Sequence, residues 1–273
     1  MPLTPVPELI AAARPGGLGA FNVITLEHAE AIATAAEAAD RPAVLQISEN
    51  TVKYHGSLAP LALACLRIAA DSTAPLAVHL DHATSFELIT AAAELGLTSV
   101  MYDGSTADYA TNLAATAEIA AWCHARGIFV EAELGEVGGK DGAHAPGVRT
   151  DPAEAADFVA ATTVDALAVA VGTSHAMHTR TAELDNDLIT RLSAKVPVPL
   201  VLHGSSGVPD PALRAAVQHG MTKINLATRL NIAATDAVRA ALTPTLSDPR
   251  KYLTPARTAI HQEVLHLLRL LAS

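Results

Sequence analysis

Residues 74–85 read APLAVHLDHATS. The stretch opens as a continuous apolar run, Ala74 to Val78, as expected of a strand covered on both faces. It ends on His79, Asp81 and His82. Ionisable groups at the end of a buried strand are costly without partners or a task. Parallel strands buried on both faces, with chemistry gathered at their C-terminal ends, are the organisation of an α/β barrel.

The rest of the chain repeats this unit. Strand-like runs recur at Gly19–Val23, Ala43–Ser48, Leu76–Asp81, Ser99–Asp103, Ile128–Leu134, Ala166–Gly172, Pro199–Gly204 and Thr222–Ala227. Helical patterns such as LEHAEAIATAAEAAD and DPAEAADFVAATT separate them, with Thr106, Asp151 and Asp210 as expected N-caps. Eight strand–helix units predict a (β/α)8 TIM barrel, α/β in class. No linker or composition shift divides residues 1–273, so a single domain is expected, with a C-terminal helix over about 256–271 packing outside the barrel or at a subunit interface. One long connection, Gly135 to Thr150 (GEVGGKDGAHAPGVRT), has no regular pattern, and long loops in compact domains are often functional lids.

Composition removes several function classes. The 273 residues carry 18 Lys plus Arg against 28 Asp plus Glu, a formal charge of −10, with no basic cluster, so nucleic acid is not an expected partner. Charged or polar residues interrupt every long apolar stretch, and the N-terminus lacks the pattern of a signal peptide; the chain reads as soluble and cytoplasmic, with no membrane partner. Cys65 and Cys123 lie far apart and read as small buried residues in a reducing compartment.

At the strand ends stand Asn22, Ser48, Asp81, His82, Asp103, Glu131, Glu133, His175, His203 and Asn225, all on one rim of such a barrel. Neutral imidazoles bind Zn²⁺ well, and three protein ligands with an open fourth position mark a catalytic centre. His82, His175 and His203 are the expected ligands, with Asp81 beside them as a proton-transfer group. His79, two residues before Asp81, is read as a core histidine supporting the site from behind. HGSSG after the seventh strand and NLAT after the eighth occupy the place where barrels commonly bind phosphate. Arg180 is a candidate counter-charge, with a solvated surface arginine as the competing reading.

Taken in order, GAFNV, QISENTVKYHG, HLDHATSFE, SVMYDGS, VEAELGEVGG, VDALAVAVGTSH, LVLHGSSGVP and KINLAT resemble the class II, metal-dependent fructose-bisphosphate and tagatose-bisphosphate aldolases nearly end to end. The resemblance implies reversible cleavage of a ketose bisphosphate to dihydroxyacetone phosphate and an aldehyde, with Zn²⁺ as Lewis acid and no lysine Schiff base. It matches His82, His175 and His203 to the zinc ligands and Asp81 to the acid/base residue acting on the C4 hydroxyl. Asp103 and Glu133 match positions that hold a second divalent cation or the alternative resting place of the zinc; a monovalent cation is a further candidate cofactor. Gly204, Ser205 and Ser206, with Asn225, Leu226, Ala227 and Thr228, match the dihydroxyacetone-phosphate site, helped by Ala176; Asn22 and Ser48 match further lining residues. A homodimer or homotetramer acting on a small phosphorylated sugar is implied.

The sequence departs from the family in three places. GGKDG stands where members carry a loop Glu in patterns such as GGxED, leaving Lys140 and Asp141, of which Asp141 is the candidate base. HAMH replaces HGxY, and HGSSG replaces HGGSG. A related aldolase with another phosphorylated substrate, a non-catalytic phospho-sugar binder and a zinc hydrolase share part of the pattern; a hydrolase has no need of two adjacent phosphate-binding turns.

Overall fold

The computed structural model describes residues 3–134, 149–175 and 177–272. Among these, eight parallel strands close into a barrel in sequence order: β1 (Leu18–Asn22), β2 (Ala43–Ser48), β3 (Leu76–Ala83), β4 (Ser99–Tyr102), β5 (Phe129–Leu134), β6 (Ala166–Val169), β7 (Leu200–Leu202) and β8 (Met221–Leu226). Each predicted run overlaps one of them, with no end shifted by more than three residues. Helix α1 (Val6–Ala13) precedes the first strand, and the outer layer contains α2 (Leu26–Ala39), α3 (Glu49–His55), α4 (Ala59–Asp71), α5 (Phe86–Glu94), α6 (Tyr109–His124), α7 (Pro152–Thr162), α8 (Asn186–Lys195), α9 (Asp210–His219), α10 (Thr228–Ala241) and α11 (Pro249–Leu271).

Two of the expected caps differ. Asp151 caps α7 by accepting the N–H groups of Ala153 and Glu154, as its position suggested. The cap of α6 is Asp108 rather than Thr106, because α6 starts two residues later than the pattern implied. Asp210 caps nothing; its carboxylate is taken by Arg229 and His266, and Pro209 precedes the helix. The last helix begins at Pro249, seven residues before the pattern suggested, with Asp248 as its cap and Pro255 inside it. A proline in a helix ordinarily signals a boundary, which is why the apolar pattern reads from Ala256. Helix α11 packs on α2, α10 and β1, and Gly17 N–H bonds the Leu271 carbonyl.

Strand alternation sorts the barrel into two cores. Outward residues such as Phe21, Leu45, Leu80, Val130 and Leu202 join the helices in the larger cluster. Inward residues Leu18, Ala20, Val44, Ala77, Phe129, Ala166, Ala168 and Val201 cluster with Val6, Leu9, Ile10 and Ala13 of α1, so α1 plugs the N-terminal end. Above this apolar plug the inward positions turn polar. Gln46, His79, Ser99, Glu131 and Lys223 come next, and Asp81, Glu133, His203 and Asn225 lie at the C-terminal end, all buried. Cys65 and Cys123 are buried and unbridged, and burial pushes their thiols up to about 12 and about 11.

Candidate active site

Asp81 and His82 are sequence neighbours, so a regular strand would send them to opposite faces. The structure resolves this with a bulge. Leu80 pairs with Val100 and Ala83 with Tyr102, so Asp81 and His82 together oppose the single residue Met101. His82 sits at φ 53, the left-handed region, at a cost of roughly 1–3 kcal/mol for a residue with a Cβ. The extra residue turns His82 to the mouth beside Asp81, and Ala83 returns to the outer core.

Three imidazoles meet there. Ring centroids are 4.7 Å apart for His82–His203, 5.2 Å for His82–His175 and 5.7 Å for His175–His203. One donor atom from each, together with a Glu133 carboxylate oxygen, lies within 4.8 Å of the others. Tetrahedral zinc needs donors roughly 3.4 Å apart at bond lengths near 2.1 Å, so side-chain shifts of about an ångström convert the group into a ligand set. Two of the rings are already oriented by carboxylates. His82 Nδ1 is 2.7 Å from Asp103 Oδ2, leaving Nε2 for an ion. His203 Nε2 is 3.0 Å from Glu131 Oε1, leaving its Nδ1, which is 3.2 Å from Glu133 Oε2. Carboxylate–imidazole pairs of this kind set the tautomer of metal-binding histidines. The donor set therefore fits a divalent metal. Asp103, expected as a metal position, is here the partner of His82 and of the Ser105 hydroxyl; Glu133 is the carboxylate inside the group.

The electrostatics follow from burial against charge. Burial opposes the charge on His203, but Glu131 and Glu133 outweigh it and push the imidazolium up to about 9. Burial likewise disfavours a charged Asp81, yet His82, His203 and Lys223 hold its carboxyl below the usual range. Asn22 Nδ2 donates to Asp81 Oδ2 at 3.1 Å, and Asn225 Nδ2 approaches Oδ1 at 3.5 Å. His79 is wholly buried, bonds Ser99 Oγ at 2.7 Å through Nδ1, and is pushed down to about 3 by burial and Lys223. It is the neutral core histidine expected.

A cavity of about 190 Å³ opens over the cluster, lined by Asn22, Ser48, Asp81, His82, His175, Gly204, Ser205, Ser206, Asn225, Ala227 and Thr228, together with Asn50 in the first turn of α3. Sequence reasoning missed Asn50, although its position two residues past Ser48 was a usable signal. Gly204 is at φ 66, and a Cβ there would lie 2.6 Å from the Ser174 carbonyl oxygen, so glycine is required. Ser205, the departure in HGSSG, turns its hydroxyl onto the Leu202 carbonyl at 2.9 Å and leaves the turn undisturbed. Ser206 Oγ accepts the N–H groups of Ala227 and Arg229 at 3.3 Å each, covering the start of α10.

Not every expected residue joins this mouth. The Leu226 side chain packs in the outer core. Arg180 lies 3.7 Å from both Asp210 and Glu263, beside the buried Arg229, and does not line the cavity. Ala176, Lys140 and Asp141 lie outside the described residues. A roomier groove of about 580 Å³ between α2, α4 and α11 has none of this chemistry: Glu30 pairs with Arg257 and Thr34 with His261. No helix among the described residues is long and apolar enough to cross a membrane.

Known proteins share this architecture. A probable fructose-bisphosphate aldolase of Bacillus subtilis is 37% identical over 277 residues, covering 98% of this chain and 97% of its own. A fructose-bisphosphate aldolase of Staphylococcus aureus is 36% identical over 272 residues, covering 97% and 95%. The crystal structure of the YdjI aldolase from Escherichia coli K12 superposes with a TM-score of 0.88 at 31% identity, covering 98% of this chain and 97% of that one. Residues 6–273 match the family described as fructose-bisphosphate aldolase class-II. The chain thus belongs to the class II fructose-bisphosphate aldolases, a family of metal-dependent lyases acting on phosphorylated sugars.

Proposed function

We propose that the protein is a zinc-dependent ketose-bisphosphate aldolase, cleaving a fructose- or tagatose-type 1,6-bisphosphate reversibly to dihydroxyacetone phosphate and an aldehyde such as glyceraldehyde 3-phosphate. The observation that carries this is the juxtaposition of His82, His175 and His203 with an Asp81 held ionised and oriented by Asn22 and Asn225. A divalent ion at this centre supplies Lewis-acid charge that stabilises the electron-rich triose-phosphate fragment.

The chain's own groups account for the remaining steps. Asp81 takes the proton of the C4 hydroxyl; the O–H electrons form the aldehyde carbonyl, the C3–C4 bond breaks, and its electron pair passes to the three-carbon fragment. In condensation Asp81 returns the proton. Asp141 is our candidate for protonating the fragment carbon. A substrate phosphate would be taken up at the Gly204–Ser206 turn and the Ala227–Thr228 start of α10, where its oxygens would replace Ser206 Oγ as acceptor of the Ala227 and Arg229 N–H groups. Two buried, unbridged cysteines support a cytoplasmic setting, and the family resemblance extends the reading to a homodimer or homotetramer.

The test is a coupled assay on a panel of ketose bisphosphates, with and without chelator. Cleavage that is lost on chelation, returns with Zn²⁺ and is absent from His203→Ala supports the assignment. No cleavage of any member by the zinc-loaded protein, or cleavage that survives exhaustive chelation, refutes it.

A further inference from the structure

Beneath the histidine cluster, inside the barrel, lies a chain of charged groups that the reaction itself does not use. Lys223 Nζ donates to Glu131 Oε2 at 2.8 Å, and Glu131 Oε1 faces His203 Nε2 at 3.0 Å. The Lys223 side chain is 1% exposed, and those of Glu131 and His203 are 0% exposed. Both Glu131 oxygens are therefore committed, one to each neighbour. The layer below shows what this space accepts without polar groups, since Leu18, Val44, Phe129 and Val201 fill it with apolar side chains. A buried ion pair is seldom more stabilising than apolar packing of the same volume, so its presence directly behind a ligand points to a role in the site.

That role follows from the directionality of hydrogen bonds. A carboxylate only accepts, so Glu131 requires the proton of His203 on Nε2, and the lone pair then lies on Nδ1, the nitrogen near Glu133. Glu131 can serve in this way only while its other oxygen is anchored, because a free carboxylate rotates or turns toward the cation. Lys223 is the anchor. Resting on the assignment of His203 as a metal ligand, we propose that Lys223 is a positioning residue that acts through Glu131 to fix the rotamer and tautomer of His203 and so to present Nδ1 to the metal.

The test uses the full chain and Co²⁺ as probe, with affinity read by competition against a chromophoric chelator and ligand geometry read from the Co²⁺ absorption bands. Lys223→Met removes the anchor at similar length and is expected to weaken Co²⁺ binding by about 10- to 100-fold and to alter the bands. Should that variant fail to fold by circular dichroism, the pair Lys223→Met with Glu131→Gln leaves no uncompensated charge. The side-chain amide that the second substitution introduces can either donate to or accept from His203 Nε2, so the same loss is expected. Wild-type affinity and bands in whichever variant folds would overturn the proposal. Wild-type protein that holds no Co²⁺ would instead refute the metal-site assignment on which it rests.

Discussion

Metal affinity should rise steeply with pH above neutrality, for a reason visible in the cluster. Glu131 and Glu133 pull a proton onto His203 and push its imidazolium up to about 9, so in protein stripped of metal this ligand is protonated at pH 7. A protonated imidazole cannot bind an ion, and the ion must displace the proton. With that value, about one molecule in a hundred has His203 neutral at pH 7 and about one in four at pH 8.5. The apparent association constant should therefore rise by more than tenfold over that interval, or about 2 kcal/mol. Competition with a chromophoric chelator at fixed ionic strength measures it. Calorimetry in buffers of different ionisation enthalpy should count about one proton released per ion at pH 7. Stability of the stripped protein runs the opposite way. Its folded-state value lies above the ordinary 6.5, so the contribution is complete below pH 6.5 and is lost as pH rises through 9. An affinity flat between pH 7 and 8.5, with no proton released, would refute this reasoning.

Three further outcomes are expected. Asp81→Ala should retain metal, measured by elemental analysis, while cleavage falls by about 10² or more; metal lost in step with activity would make Asp81 a ligand instead. Gly204→Ala should cost about 2 kcal/mol or more, because it combines a left-handed backbone with a Cβ 2.6 Å from the Ser174 carbonyl oxygen. Gly56→Ala, at φ 74 with nothing within 4 Å, isolates the backbone term, so equal melting temperatures for the two variants would remove the clash from the account. Asp141→Ala should slow solvent exchange of the dihydroxyacetone phosphate C3 proton more than carbon–carbon cleavage; equal exchange with wild type, by NMR in heavy water, would exclude Asp141 as the base.

What the sequence discloses of this molecule follows from which interactions are local. Strands buried on both faces are apolar runs whatever surrounds them, so all eight were legible, and ionisable residues at their C-terminal ends named the mouth. The bulge was not legible. HLDHATS reads the same whether or not Asp81 and His82 share one partner residue, and only pairing with β4 decides that His82 turns inward. Helix starts failed where a better capping residue stood nearby, as Asp108 does for Thr106, or where a distant partner took the side chain, as Arg229 does from Asp210. Arg180 followed the histidine loop in sequence, yet its charge lies against α9 and α11. Lys223 is the sharpest case. KINLAT marks it as an inward position two residues before Asn225, and alternation alone would make an inward lysine an anomaly in a buried strand. Glu131 was visible as one of two carboxylates on β5, of which the family resemblance matched only Glu133 to a metal position and left Glu131 without a role. Their division of labour arises because Lys223, 92 positions away, reaches Glu131 and leaves Glu133 to the histidines. An unexplained buried charge in a strand is thus a signal to search the other strands for an opposite charge at the same level, and such a pair beneath a ligand marks which carboxylate orients and which binds.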